Sequence, residues 1–594
     1  MELLKFYNER IADFSAKIKK CEKKEKILPF YRLLIVVLGI VFFIFLLKIS
    51  IVISALVLIT SLFGLAVLVN IDNHNSELKK YYELLVELNE NEIKTLQGEF
   101  PFVNDGSKYF DEFHPYSYDL DIFGKSSLFH FLNRTNLSRS SDVLAAWLLK
   151  TANNNEIVER NKAVVELSKK INWRQKIFTL GFSAENSEKS LSTLEAWVKK
   201  KSHFNLFRKY SWVCTFLSAL TITSFAMAYV FPTILIAFFL LLIHFIIIRQ
   251  TNLLVRDAHN DVSNYSKVLD SYSNILKEIE NESFKSYKLN ALKERLKMDD
   301  STASGEIKKI SKILHNFDIR YNALVHAILN NLFFWDIHQY YRLEKWKLKN
   351  QKIEQWFDVV GEFESLSSLA NMHFNNPDWC FAKMDESYFQ FEAKTLGHPL
   401  IKSENRVCND FLINGVGKLV LLTGSNMSGK STFLRSVGIN MVLAMAGSCV
   451  CATEFRCSLV NILSSMRIVD SLQDNTSTFF AELKKLEFIL QKVERNEQVF
   501  ILLDEPLRGT NSNDKHIGTS ALIRQFVSNN TVGIIATHDL SLTDLANDYP
   551  ENVENYNFDI KVENENLFFD YKLNQGVCTS LNASLLMKKI GIKI

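Results

Sequence analysis

Residues Gly424–Thr432 read Gly-Ser-Asn-Met-Ser-Gly-Lys-Ser-Thr, a complete G-x-x-x-x-G-K-[ST] pattern. It constrains the fold strongly, because it works only as a turn between a buried strand and a helix. The flanks fit. Lys418–Thr423 is an apolar, β-prone run, and Phe433–Met445 has helical spacing. Gly424 and Gly429 would let the backbone curl so that its N–H groups face phosphate oxygens, aided by the helix dipole. Lys430 would reach the β- and γ-phosphates, and the Ser431 hydroxyl would ligate Mg²⁺. The expected ligand is therefore ATP with Mg²⁺, held by Gly424, Ser425, Asn426, Met427, Ser428, Gly429, Lys430, Ser431 and Thr432. The plain alternative, a Gly/Ser turn before an ordinary helix, does not account for the full motif in this context.

Two further apolar runs end in chemistry-bearing residues. Val499–Leu503 reads as a buried parallel strand and runs into Asp504-Glu505-Pro506. Asp504 would hold Mg²⁺, and Glu505 would orient and deprotonate the attacking water, because phosphoryl transfer is mostly positioning and charge neutralisation. Thr531–Ala536 ends in Thr537-His538, where His538 could contact the γ-phosphate and the water. Lys430, Glu505 and His538 are thus the candidate catalytic residues.

The chain of 594 residues can hold several domains, and its net charge of +3 gives no global basic field for nucleic acid. The eight cysteines form no C-x-x-C pair, which fits small core residues in a reducing compartment. Hydrophobicity comes in two bursts. Leu33–Leu47 and Ile49–Val69 form one pair of apolar runs, and Trp212–Tyr229 and Thr233–Ile248 form another. Their lengths approach the roughly 17–25 residues that cross a bilayer, and joints this short imply helical hairpins. Lysines and arginines at 17–32, 199–209, 249 and 256 flank them. The positive-inside rule then places the ends of both hairpins, and the soluble domains, on the cytoplasmic side of the cell membrane as a multi-pass protein. No small-residue cleavage site follows the first run, so no cleaved leader is expected. The spans carry no Asp, Glu, Lys or Arg, which suits anchors rather than a transport path. His244, near a span end, is expected at the interface. Buried helices of a water-soluble core are the alternative for these runs.

The expected fold is multidomain α plus α/β. It comprises a basic amphipathic helix at 1–30, a hairpin at 31–70, a helical linker at 71–116 and a helical core at 117–209. A second hairpin at 210–249, a helical lever at 250–390 and a P-loop ATPase domain of ABC type at 391–594 follow. Within these, Leu253–Leu296 has a long helical pattern and Ile319–Leu369 a broken one.

The motifs around the phosphate loop resemble those of the MutS family. Thr423–Thr432 is similar to its ATP-binding loop, with Asn426-Met427 characteristic. Ser477-Thr478-Phe479-Phe480-Ala481-Glu482 resembles its Ser-Thr-Phe-x-x-Glu segment, Asp504–Asn511 its Asp-Glu-x-x-Arg-Gly-Thr stretch, and Thr537-His538 its Thr-His. Gly397-His398-Pro399 is similar to the Arg-His-Pro that opens its ATPase domain. Leu120–Leu149 and Phe363–His373 resemble the two ends of its helical core. The resemblance implies a homodimer that sandwiches ATP, with Ser477 reaching the nucleotide of the other subunit and Thr510 and Asn511 at the seam. It also implies DNA as a candidate ligand, with mismatched-DNA binding and DNA repair as candidate roles. The chain departs from the family at its N-terminal end, where a Lys-rich helix and a membrane hairpin stand in place of a Phe-x-Glu mismatch wedge. Pro506-Leu507 also replaces the usual Ile-Gly. Two other expectations compete with a DNA-binding ATPase: an ATP-driven clamp acting on a protein or the lipid bilayer, and a transport ATPase. The chain lacks the Leu-Ser-Gly-Gly-Gln signature of ABC transporters.

Overall fold

The computed structural model describes residues 2–182, 191–228, 231, 233–263, 265–467, 478–559, 561–563 and 566–578. The chain divides into two compact units. The first comprises Met1–Ser107, Phe123–Phe131 and Pro399–Val407. It is dominated by two antiparallel helices, α1 (Glu2–Leu47) and α2 (Ile51–Leu96). At about 1.5 Å per residue each is close to 70 Å long. No break separates the basic segment 1–30 from the first apolar run, although Pro29 lies inside α1. The helices meet closely at Gly39, where a Cβ would lie 2.5 Å from Ser61 Oγ. Small residues at a helix crossing permit this approach. Toward the polar ends, Asn75 Nδ2 donates to Cys21 O (2.9 Å), Arg32 pairs with Asp72 (2.5 Å) and Lys79 with Glu25 (2.8 Å). Beyond Leu96 the expected helical linker is mostly irregular, with one 3₁₀ turn at Ser107–Tyr109.

The second unit comprises Lys108–Ile122, Leu132–His398 and Cys408–Ile594. Its hairpin is α3 (Phe204–Met227) and α4 (Ile234–Val262). The long helix expected over Leu253–Leu296 is instead the end of α4 followed by separate helices at Ser266–Asn281 and Tyr287–Glu294. The broken pattern of 319–369 resolves into α5 (Ala323–Phe333), α6 (Trp335–Lys349) and α7 (Ile353–Asn375). Among the described residues, four helices (α1 to α4) are long and apolar enough to cross a membrane. Only 6% of the most apolar window of α1 or α2 is buried among the described residues.

His244 corrects its expected interfacial position. It is fully buried: Nδ1 donates to Asn331 O (2.7 Å), Nε2 lies 3.2 Å from Thr221 Oγ1, and the ring packs 4.1 Å from Phe334. A polar ring on an apolar helix is retained here because each nitrogen has a partner.

Helix α7 is buried along most of its length and organises the helical body. Ser365 Oγ donates to Ser140 O (3.0 Å), Arg134 N to Ser368 Oγ (3.0 Å), and Arg174 Nη1 to Asn371 Oδ1 (2.8 Å).

The C-terminal part is an α/β layer. Strands β1 (Leu419–Gly424), β2 (Asn461–Ser465), β3 (Val499–Asp504), β4 (Val532–Ala536), β5 (Val553–Phe558) and β6 (Leu573–Gln575) order as β6-β5-β1-β4-β3-β2. The pairings are parallel except β5 with β6. β1, β3 and β4 are buried at every residue, as continuous apolar runs require. Helices α8 (Lys430–Ala446), α9 (Thr478–Glu494) and α10 (Ser512–Ser528) follow β1, precede β3 and follow β3 respectively. A separate mixed four-stranded sheet contains Lys383–Asp385, Glu454–Ser458, Gln390–Leu396 and Asn409–Asn414.

The irregular segment 108–122 is fixed to this layer by charge. Asp119 is fully buried, accepting from Lys485 Nζ (2.5 Å), Ser464 Oγ (2.7 Å) and Arg467 N (3.0 Å). Removing one partner of such a site strands the others without water. Asp119→Ala is expected to lower the stability of this unit by about 3 kcal/mol, read as a lower urea midpoint at unchanged slope. A midpoint within error of the parent chain would show that the network contributes nothing.

Candidate nucleotide site

The three strand tips come together because their register is set. Ala536 of β4 lies opposite Leu422 of β1 on one side and Asp504 of β3 on the other. The residues after each strand, Ser425, Glu505 and Thr537-His538, therefore emerge at one edge of the sheet.

After β1 the chain turns through Gly424 (φ 149°), Met427 (φ 66°) and Gly429 (φ 107°) before entering α8. Gly424 has no room for a side chain, since a Cβ would lie 2.8 Å from both Phe558 O and Ser428 Oγ. Lys430 is 5% exposed, and its Nζ donates to Gly424 O (2.8 Å) and Ser425 O (3.0 Å). It also lies 3.4 Å from both ring nitrogens of His538. Burial is the main cause that lowers the Lys430 ammonium to about 8, against the opposing pull of Glu505 and Asp504. Ser428 Oγ is buried and without a hydrogen-bond partner, a polar atom facing the cradle. Asn426 and Met427 are exposed at the loop tip, Ser431 is half-buried and Thr432 exposed.

Glu505 sits just past β3 with φ 52°, its N–H donating to Ala536 O (2.8 Å). His538 Nε2 is 2.5 Å from Glu505 Oε1. Arg508 Nε (3.2 Å) and Lys515 Nζ (3.5 Å) approach the other oxygen. Burial pushes the Glu505 carboxyl up. The His538 hydrogen bond and the charges of His538, Arg508 and Lys515 outweigh it and bring it to about 2. Asp504 is buried, with Arg508 Nη2 at 3.9 Å. The structure thus brings Lys430, Asp504, Glu505 and His538 together with the phosphate-type loop. Ser477 lies outside the described residues. Thr510 is half-buried, and exposed Asn511 caps α10, its Oδ1 accepting from Asp514 N (2.9 Å).

Arg508 and Lys515 had no assigned role in the sequence reading. Arg508 was visible inside the Asp504–Asn511 motif, whereas Lys515 carries no motif at all. Glu482 was also missed as a contact. Its Oε1 accepts from Leu507 N (2.6 Å), so α9 holds the turn that follows Glu505. Gly509 lets that turn approach α9, where a Cβ would meet Phe479 Cβ at 2.7 Å. Tyr571 lies against Gly429, 3.1 Å from where a Cβ would stand.

Mg²⁺ fits this donor set. Among the described residues no group of three or more His, Cys, Asp or Glu could hold a metal alone. A site built from Ser431, Asp504 and phosphate oxygens suits an ion bound through one or two carboxylates plus substrate oxygens.

Residues 420–587 match the family model for MutS domain V. The DNA mismatch repair protein MutS of Thermotoga petrophila is 31% identical over 222 residues, 37% of this chain and 28% of that protein. That of Thermotoga neapolitana is 33% identical over 227 residues, 38% of this chain and 28% of the relative. The human MutS protein homolog 4 is 33% identical over 200 residues, 32% of this chain and 21% of the relative. The chain therefore spans less than a third of the length of these curated relatives.

Glu482→Ala is expected to free the turn after β3. Amide exchange at Leu507 should rise about tenfold or more, because a hydrogen bond to a charged group contributes about 1.5–3 kcal/mol. Unchanged protection at Leu507 would show that the turn holds itself.

Proposed function

We propose that this chain, which belongs to the MutS family through its C-terminal part, is a membrane-anchored ATPase that works as a homodimer on DNA. The observation that carries the ATPase reading is the meeting of Lys430, Glu505 and His538 at the tips of three parallel strands.

The phosphate-loop backbone N–H groups and Lys430 would bind the phosphates of ATP, Lys430 leaving the two carbonyls it now contacts. Ser431 and Asp504 would hold Mg²⁺, which would supply positive charge to offset that of the phosphates. Glu505 and His538 would orient the attacking water. A carboxyl near 2 is a weak proton acceptor. Glu505 therefore gains basicity only as His538, Arg508 or Lys515 turns toward the phosphates. Ser477 would complete the site across the dimer, next to Thr510 and Asn511.

The name of the Thermotoga relatives, DNA mismatch repair protein MutS, supports DNA as a ligand. A second reading, an ATP-driven clamp acting on the bilayer or a protein, is favoured by one observation. Lys19, Lys20, Lys23, Lys24 and Lys26 are exposed on α1 next to its apolar run, where anionic lipid competes with nucleic acid for them. In either reading the hairpins anchor the chain in the cell membrane with the ATPase in the cytoplasm.

Lys430→Ala should weaken ATP binding by about thirtyfold or more, the scale of about 2–5 kcal/mol for a buried charged contact. Glu505→Gln should leave binding near that of the parent and cut turnover by about 10²–10⁴. Ser477→Ala should lower turnover with little change in ATP affinity. Equal loss of binding in all three would sink the composite site. For the DNA role, detergent-purified Glu505→Gln protein is titrated onto paired, mismatched and branched duplexes with and without ATP. Affinity that falls steeply with salt and responds to ATP is expected. No binding at low salt with ATP binding intact would favour the clamp.

A pH dependence follows from Lys430. Its ammonium is lowered to about 8 without nucleotide, and bound phosphates would raise it again. Below about 8 the cation is already present and binding takes up no proton there. Above about 8 it must first be protonated, so ATP affinity should fall as pH rises and binding should take up a proton. Calorimetry at pH 9 in buffers of different ionisation enthalpy measures this uptake. Proton release, or none, would contradict it.

A further inference from the structure

Beside the second hairpin lies a helix that the apolar runs of the sequence do not reveal. Helix α5 packs on both α3 and α4. It contains no Asp, Glu, Lys or Arg. Its outward face is apolar, with Leu324 71% and Ile328 52% exposed, and Val325 and Phe333 exposed beside them. This inverts the usual amphipathic order of a helix on a water-soluble surface.

Each of its polar side chains has a partner within the protein. Asn322 caps the helix, accepting from Val325 N (3.2 Å). His326 Nε2 is 2.9 Å from Asp336 Oδ2, and Asn330 Nδ2 donates to the same oxygen at 3.4 Å. Asn331, although exposed, returns its amide to Ala327 O (2.8 Å). A helix whose polar side chains each have an internal partner, and whose outer face is hydrocarbon apart from the self-bonded amide of Asn331, is built for contact with lipid.

Its position agrees. At its C-terminal end, Asn331 O and the Phe334 ring meet His244, inside the apolar run that ends at Ile248. At its N-terminal end, Arg320 Nη2 reaches Asn252 Oδ1 (3.3 Å) and the Tyr321 ring lies 5.3 Å from His259, both beyond that run. The helix thus straddles the boundary between the apolar and polar parts of α4. Tyr321, 65% exposed, stands at its entry, and Trp212, 79% exposed, begins the apolar part of α3. Exposed aromatics at such a level mark a membrane–water interface.

We propose that α5 is a third membrane-contacting element. Its Leu324–Val325–Ile328 face inserts into the cytoplasmic leaflet alongside the hairpin. Helix α6 returns from it directly, through Phe334 in the left-handed conformation (φ 48°), so the leaflet contact is joined to the helical body. The proposal rests on the hairpin being membrane-embedded, and its test separates the two.

The full chain is reconstituted into vesicles of phosphatidylcholine and phosphatidylglycerol after labelling single introduced cysteines with an environment-sensitive fluorophore. The sites are Leu324→Cys and Ile328→Cys on α5, Phe238→Cys on the exposed face of α4, and Tyr287→Cys on a polar helix. The unsubstituted chain, six of whose eight cysteines are buried, gives the background. The expected result is blue-shifted emission at 324, 328 and 238, with quenching by nitroxide lipids and loss of quenching by aqueous iodide, and the reverse at 287. Iodide quenching at 324 and 328 with lipid quenching at 238 would overturn the proposal and leave the hairpin in the membrane. Iodide quenching at 238 as well would overturn both.

Discussion

The register that places Ala536 between Leu422 and Asp504 is the constraint on which the rest of the site depends. Side chains alternate faces along a strand, so a slip of one residue in β3 or β4 would turn Glu505 or His538 away from Lys430. β1, β3 and β4 are buried at every residue, so a shifted strand would have to repack side chains on both of its faces. Local strain is added to this frame. Glu505 and Leu507 both have positive φ, and Gly424 and Gly429 take conformations closed to other residues. Such geometry persists where the surrounding structure over-determines it, here through three parallel strands and the Glu482 contact.

That contact also joins the site to the helical body. Glu482 and Lys485 lie three residues apart on α9, hence on neighbouring positions of one helix surface. Glu482 holds the turn after β3, and Lys485 holds Asp119 of segment 108–122. Arg467 and Arg435 pair with Asp121 two residues further on. A shift of the turn beside Glu505 is therefore a shift of a helix already ionically bound to a segment outside the sheet. The bound carboxylate is buried, so the link cannot exchange its partners for water at low cost.

Much of this was legible in the sequence, and for a physical reason. A strand buried on both faces must be apolar throughout, and the chemistry must begin where it ends. The runs at 418–423, 499–503 and 531–536 consequently locate β1, β3 and β4 to within about a residue at either end. What was not legible depends on contacts distant in sequence. Lys515 reaches Glu505 from α10 with no local pattern to mark it. The break at Phe334 is invisible because neither Gly nor Pro signals it, and the helical period continues on both sides. His244 looked interfacial because its partners, Thr221 and Asn331, lie 23 and 87 residues away.

The second compact unit obeys two opposite rules of burial. In the α/β layer the apolar side chains face inward and the charges of Lys430, Asp504 and Glu505 gather at an edge. Around α3, α4 and α5 the order is reversed. His244, Thr221, Asn330 and Asp336 are buried, while Leu235, Phe239, Leu324 and Ile328 are exposed. Each arrangement is costly in the solvent that suits the other, since bare hydrocarbon is unfavourable in water and unpaired polar groups are unfavourable in lipid. A chain that keeps both, with every polar side chain of α5 internally paired, is consistent with the proposed contact with two solvents. In that proposal the line between them runs where α4 passes from Ile248 to Arg249.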